Sequence, residues 1–416
     1  MIVFDLASLS FRTSLLQRLQ QFAAELSQRV RKCCLLLSKP LHRKQMRSHP
    51  AKGYQVYALC LKLLQVMKNA IYGSVILSLT ASIGVPQSLE TSRKIDALMA
   101  AASLELQLHD YPSAWRSLEQ ASQADPNSAR VRGAQEDAAM TWLENIHARG
   151  NESFSDIVKR LEPTLTRGVA AAQSLSRQAD LMAHIGWSQF LRFRDGSSQL
   201  DPTKAYAAAV KIDANNPYAQ AMWGFWVLWK LSPELPVTTI LGTIGDAGQH
   251  FSLALTTGRQ RAYVRNLQLA ALMNATETSG ANPIPSSNYA LIDSETIRVT
   301  NAMRKEQGVV DPDNQRRIFG IYYSNMLHPD EPRFLRVVPP VEHLATFHWL
   351  FDGMEVDESK RGFQPYCLSA LQEAAGQFED ALAGYRLIRR QMAGQSGPLL
   401  DGVESGIRRL TGTKGQ

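Results

Sequence analysis

The chain has 416 residues, of which 44% are hydrophobic and 20% are charged. This balance is typical of a folded globular protein and excludes a wholly disordered one. The formal net charge of +7 comes from the first 70 residues, which hold 12 Lys or Arg against only Asp5 and Glu25. Because phosphate recognition needs a basic surface, we expect no nucleic-acid binding by the rest of the chain, which is slightly acidic.

Residues 1–69 are predicted to be a basic, poorly structured segment. The stretch from Ala70 to Val85 that follows contains no charged residue and ends at Pro86. A membrane-spanning helix needs about 20 apolar residues, whereas the apolar core of a secretory signal peptide needs only about 7 to 15. We therefore predict that residues 70–86 are a signal peptide core or a transmembrane anchor, and that the protein is exported (periplasmic or otherwise extracytoplasmic) or membrane-anchored.

Two alternatives accompany this prediction. Met67 and Lys68 resemble the start of a signal peptide, in which case residues 1–66 would be an upstream extension that precedes the translated protein. If the apolar stretch is instead a buried helix, the protein is a soluble cytoplasmic adaptor.

A recurring spacing of small and apolar residues follows the apolar stretch. Residues His109 to Tyr111 indicate a turn between two helices, and the second helix then shows spacings of four, three and five up to a proline. Small residues are needed at such positions because paired helices approach closely, while the proline stops the helix. The full matches are Ala114, Leu118, Ala121 and Pro126, then Ala205, Ala209, Ile212 and Pro217, and the shorter ones are Ala247, Phe251 and Ala254, then Ala381, Tyr385 and Ile388.

These matches resemble the tetratricopeptide-repeat family over residues 91–395. The repeats are degenerate, because strict ones recur about every 34 residues. The resemblance implies an all-α, right-handed superhelical solenoid of antiparallel helix pairs. It also implies a non-enzymatic scaffold that binds a protein or peptide in a groove formed by the first helices of successive pairs.

Stretches rich in proline and glycine mark the expected boundaries along this region. They are residues 232–246, 276–288 and 328–343. We accordingly predict tetratricopeptide-like repeats over residues 91–231, further degenerate repeats with irregular loops over 232–410, and a disordered tail over 411–416.

A cluster of tryptophans provides the candidate binding residues. Trp223 and Trp226 lie in the segment AMWGFWVLWK, and Trp187 lies on an earlier helical stretch. Indoles supply rigid contact area and a hydrogen-bond donor, so we predict that these three side chains line the partner-binding groove. The alternative is that they pack in the core between helices.

The sequence offers little catalytic chemistry. Four cysteines show no zinc-ligand spacing, and the common zinc, phosphate-loop and nucleophile-elbow motifs do not occur. The segment Asp311 to Asn314 is predicted to be a helix-capping turn, not a calcium loop. We expect no catalytic residues, metal or cofactor, and we leave the oligomeric state open. An enzyme with its site in residues 276–345 is the alternative.

Overall fold

The computed structural model describes residues 87–146, 153–277, 286–326, 336–352 and 362–412. The predictions for residues 1–69 and 70–86 therefore lie outside the described residues. Within the described ranges there are fifteen helices and no strand: α1 Gln87–Gln107, α2 Tyr111–Ala124, α3 Ala129–Glu144, α4 Phe154–Ala171, α5 Leu175–Arg194, α6 Thr203–Ile212, α7 Pro217–Trp229, α8 Val237–Thr256, α9 Arg261–Glu277, α10 Ser286–Lys305, α11 Pro312–Met326, α12 Pro340–Phe351, α13 Phe363–Ala374, α14 Phe378–Gln391 and α15 Pro398–Gly412.

Local sequence explains where these helices begin and end. Between α1 and α2 the backbone of His109 is left-handed (φ 57°), and the side chain of Asp110 accepts a hydrogen bond from the amide of Ser113 at the start of α2. Gly376 has φ 80° between α13 and α14, where glycine avoids the strain that a side chain would bring. The turn at His109 lies where the sequence predicts it.

One predicted interruption is wrong in part. The Pro- and Gly-rich residues 232–246 do not separate two helical blocks, because α8 begins at Val237 directly after Pro236. Proline is compatible with a helix start, and the two exposed glycines, Gly242 and Gly245, only weaken a helix that packing against α7 supports. Helix α15 likewise extends to Gly412, so the first two residues of the predicted tail are helical.

The helices pack as a stack of pairs. Short connections turn the chain back on itself, so that α3 lies against α4, α5 against α6, α7 against α8, α9 against α10, and α13 against α14. From α3 to α15, every odd-numbered helix also contacts the next odd-numbered helix. Among the described even-numbered helices, close contact of this kind occurs between α10 and α12. The odd-numbered helices are thus the more tightly packed layer, and the stack curves toward them.

Side-chain contacts repeat along the stack at a spacing close to that of the pairs. Trp187 bonds to Leu143, 44 residues earlier, and Arg177 bonds to Glu136, 41 residues earlier. Successive pairs are therefore roughly 45 residues apart, compared with about 34 in tetratricopeptide repeats. One hydrophobic core runs from Ala102 in α1 to Leu410 in α15. The prediction of an all-α stack of degenerate helical repeats is confirmed, and its right-handedness stays a prediction.

No helix among the described residues is long and apolar enough to cross a membrane. Residues Thr91–Gln416 form one compact unit.

Candidate functional site

Two of the three predicted groove tryptophans are core residues. Trp187 is 6% exposed, and its Nε1 donates to the carbonyl oxygen of Leu143 at 3.0 Å. Trp226 is 4% exposed, and its Nε1 donates to Oγ1 of Thr203, also at 3.0 Å. Neither indole can line an open groove in this structure. Their alternative role, core packing between neighbouring helices, is the one that the geometry supports.

Trp223 differs, because its side chain is only half-buried at the seam between α7 and α8. The indole stacks on the imidazole of His250, with ring centroids 4.7 Å apart and an interplanar angle of 26°. Nδ1 of His250 lies 2.6 Å from Oε1 of Gln220, and Nε2 of Gln220 donates to the carbonyl oxygen of Ala214 at 2.6 Å. Burial lowers the pKa of His250, so its ring is neutral at physiological pH. The ring of Trp223 therefore stacks on an uncharged imidazole that is itself held by Gln220.

A second group of polar side chains lies between the odd-numbered helices. Asp180 of α5 is 6% exposed. Its carboxylate accepts hydrogen bonds from both terminal nitrogens of Arg259, at 2.9 and 3.1 Å, and from Nδ2 of Asn216 at 2.6 Å. Arg259 immediately precedes α9, and Asn216 caps α7. A single buried carboxylate thus joins three odd-numbered helices.

His184, one turn further along α5, is fully buried. Its Nδ1 lies 2.7 Å from the carbonyl oxygen of Asp180, and its Nε2 lies 2.8 Å from Oε1 of Glu144 at the end of α3. The ring of Tyr218 from α7 packs edge-on against the imidazole, with centroids 4.7 Å apart. Burial and the charges of Glu144 and Asp180 raise the pKa of Tyr218. These contacts extend the polar cluster from α3 to α7.

Tyr263 brings α9 into the same cluster. Its ring lies 5.3 Å from that of Tyr218, and burial together with the charge of Glu144 raises its pKa well above 10. The hydroxyl of Tyr263 is buried without a hydrogen-bond partner among the described residues. Helices α3, α5, α7 and α9 therefore converge on one set of side chains. Between these helices the face that was expected to form an open groove is filled.

We call these side chains the inner cluster. Its members are Glu144, Asp180, His184, Tyr218, Arg259 and Tyr263.

The metal-ligating and nucleophilic side chains of the described residues bear on the predicted motifs. None of their groupings of three or more His, Cys, Asp or Glu could hold a metal ion. Cys367 is buried, and burial raises the pKa of its thiol, which makes it a poor nucleophile. The segment from Asp311 is a helix start as predicted, since α11 begins at Pro312 and the carbonyl of Asp311 accepts from the amide of Gln315.

Sequence reasoning missed the inner cluster and the support under Trp223. The members of the inner cluster come from four helices and from the loop before α9, and they have no common spacing, so no motif could reveal them. His250 lies 27 residues after Trp223, and only the pairing of α7 with α8 brings the two rings together.

Comparison with known proteins gives one structural likeness. No family model matches the chain, and no curated protein matches it. Among solved structures, a tetratricopeptide repeat protein from Parabacteroides merdae is similar, with 10% sequence identity and a TM-score of 0.32. The likeness covers 77% of this chain and 99% of that one. At that TM-score it carries no argument of its own. The resemblance of the helix pairs to tetratricopeptide repeats is based on how the helices pack.

Proposed function

We propose that this protein is a non-enzymatic helical-repeat scaffold that binds a protein partner at Trp223. Stacks of helix pairs offer long, rigid surfaces, and their usual role is to hold other proteins. The observation that carries the proposal is the partly buried indole of Trp223, stacked on His250. A large aromatic side chain that is already fixed loses little conformational entropy on binding, which suits an anchor for a partner.

The indole nitrogen of Trp223, like those of Trp142, Trp229 and Trp349, has no hydrogen-bond acceptor among the described residues. Nε1 of Trp187, Trp226 and Trp115 each donates to an acceptor within the protein. A partner could therefore receive a hydrogen bond from Trp223 in addition to the apolar contact with the ring.

The experiment compares three versions of the full chain as bait in native extracts: wild type, Trp223→Ala and Trp349→Ala. Trp349, on α12, is another half-buried tryptophan and serves as the matched control. We expect at least one specifically captured protein to be lost with Trp223→Ala and retained with Trp349→Ala, while circular dichroism shows both variants folded. If every captured protein is retained by Trp223→Ala, the proposed site is wrong.

We also propose, on the sequence alone, that residues 70–86 direct the protein to or across a membrane. A cleaved signal predicts a native N-terminus near Val85 and a location outside the cytoplasm. An anchor predicts that the full-length protein sediments with membranes and is released only by detergent. N-terminal sequencing after fractionation distinguishes the two, and intact protein in the cytoplasm would contradict both.

A further inference from the structure

Two buried tyrosine hydroxyls in the stack have no hydrogen-bond partner among the described residues. They belong to Tyr263 of α9 and to Tyr206 of α6, whose side chain is fully buried. A buried hydroxyl that makes no hydrogen bond destabilises a fold, so nearly all buried polar groups in proteins are paired with protein atoms or with ordered water. These hydroxyls therefore require a partner that the surrounding side chains do not supply.

The hydroxyl of Tyr263 lies near a carboxylate to which it does not bond directly. The ring of Tyr263 is 5.3 Å from that of Tyr218, which lies 4.7 Å from the imidazole of His184. Oε1 of Glu144 is 2.8 Å from Nε2 of that imidazole, and the side chain of Glu144 is only 15% exposed. Glu144 is also close enough to both tyrosines to raise their pKa values. A donor and an acceptor thus lie close together in a buried place without meeting.

Water is the partner that fits such a place. Polar groups that interact over more than about 3.5 Å are often bridged by a water molecule, and a buried water typically makes about three hydrogen bonds. The hydroxyl of Tyr263 can donate one of these, and the carboxylate of Glu144 can accept another. Tyr206, which is near enough to raise the pKa of Tyr263, offers a third polar group.

We propose that the inner cluster binds a buried water molecule, which accepts a hydrogen bond from the hydroxyl of Tyr263 and donates one to the carboxylate of Glu144. The second hydrogen of this water is available to the hydroxyl oxygen of Tyr206. Glu144 is the last residue of α3 and Tyr263 lies in the first turn of α9, so the water joins the first and the last of the four odd-numbered helices that meet there. The proposal concerns the interior of the stack and does not depend on partner binding at Trp223.

Tyr263→Phe in the full chain tests whether the hydroxyl is bonded, because it removes the hydroxyl and keeps the ring. If water bonds the hydroxyl, the unfolding constant in urea should rise by roughly two- to tenfold. The matched control is Tyr385→Phe, which removes a hydroxyl that donates directly to Glu373 at 3.0 Å and should show a rise of the same kind. Removing an unpaired hydroxyl has the opposite sign. An unfolding constant that falls or stays equal for Tyr263→Phe would therefore overturn the proposal.

A crystal structure of the wild-type chain identifies the bonded partner and needs no variant. We expect a water oxygen within about 2.5–3.2 Å of both Oη of Tyr263 and a carboxylate oxygen of Glu144. A direct hydrogen bond from Tyr263 to a protein atom, with no water between, would refute the proposal. If the chain does not crystallise, ¹⁷O relaxation dispersion of the solvent decides in solution. The wild type should then hold at least one more long-lived buried water than Tyr263→Phe, and equal numbers would contradict the bridge.

Discussion

Asp180 shows how a single buried charge can join helices that are far apart in sequence. Its ion pair with Arg259 spans 79 residues, and Asn216 supplies a further donor. A buried carboxylate is costly unless it is fully paired, so losing either partner exposes that cost. A buried carboxylate of this kind fixes the position of one helix pair against the next. Apolar packing alone would fix that position less specifically.

Asp293 offers a contrasting case, with a carboxylate that burial disfavours. Burial raises the pKa of Asp293 to about 6, although Nδ2 of Asn325 donates to it at 2.9 Å. An unfolded aspartate has a pKa of about 3.9, so the native state holds more protons between these values, and stability falls as the pH rises through them. Above pH 6 the ionised group destabilises the fold by roughly 2–3 kcal/mol.

Asp293→Asn should therefore stabilise the protein at pH 7 by roughly 1–3 kcal/mol and change little at pH 4, because the asparagine oxygen can still accept from Asn325. Urea unfolding of both proteins at the two pH values measures the difference. Equal effects at pH 4 and pH 7 would show that ionisation of Asp293 does not set the cost.

Two helical glycines provide a prediction about close packing. A Cβ at Gly186 of α5 would lie 2.6 Å from the ring of Tyr206, whereas a Cβ at Gly242 of α8 would meet no atom within 4 Å. Gly186→Ala should destabilise the fold by roughly 1–3 kcal/mol, because overpacking outweighs the gain in helix propensity. Gly242→Ala should stabilise it by about 0.5–1 kcal/mol. Thermal unfolding of the two variants is the measurement, and the same sign of shift in both would contradict this account.

At the scale of helices, α7 depends on its N-cap. Oδ1 of Asn216 accepts from the amide of Ala219 at 2.9 Å, while Nδ2 donates to Asp180 at 2.6 Å. Ser128 caps α3 through one longer hydrogen bond of 3.4 Å, to the amide of Val131. The side chain of Asn216 therefore caps a helix and also binds a buried carboxylate, whereas the side chain of Ser128 only caps a helix.

Asn216→Ala should cost roughly 2–4 kcal/mol, since it removes a cap and a donor to a buried carboxylate. Ser128→Ala, which removes a cap alone, should cost about 0.5–1 kcal/mol. The free energies of unfolding in urea compare them directly. Similar losses in the two variants would mean that the contact of Asn216 with Asp180 contributes nothing.

Much of the helical pattern could be predicted from local sequence. The turns at His109 and Gly376 depend on residues that are adjacent in the chain, and the small residues Ala114 and Ala205 are buried as the spacing predicts. Local sequence does not predict the start of α8, because residues 232–246 contain glycines and prolines. Packing against α7 outweighs the weak helix propensity of these residues.

The candidate site was predictable only in part. The tryptophans were identifiable as a cluster, but which one stays accessible depends on how α5, α6 and α8 surround α7. Trp187 and Trp226 meet acceptors on other elements, at Leu143 and Thr203, and become core residues. Periodicity within one helix cannot contain that information, because it arises from the stacking of the pairs.

At the scale of the whole stack, the inner cluster implies strong curvature. Helices usually pack with axes about 8–10 Å apart, so α3 and α9 would be roughly 30 Å apart in a straight row of odd-numbered helices. Instead, the ring of Tyr218 packs against Tyr263 of α9, and Glu144 of α3 is close enough to both tyrosines to raise their pKa values. The side chains of the inner cluster therefore bring α3 and α9 close together.

The distance between α3 and α9 in solution tests this account most directly. Spin labels at Asn145 and Ala262, in a full-length protein with Cys33, Cys34 and Cys60 replaced by serine, flank the inner cluster at the end of α3 and the start of α9. Double electron–electron resonance should give a single distance below about 20 Å, because the odd-numbered helices converge on shared side chains. A distance of about 30 Å or more would show an open, extended stack and contradict the closed inner face.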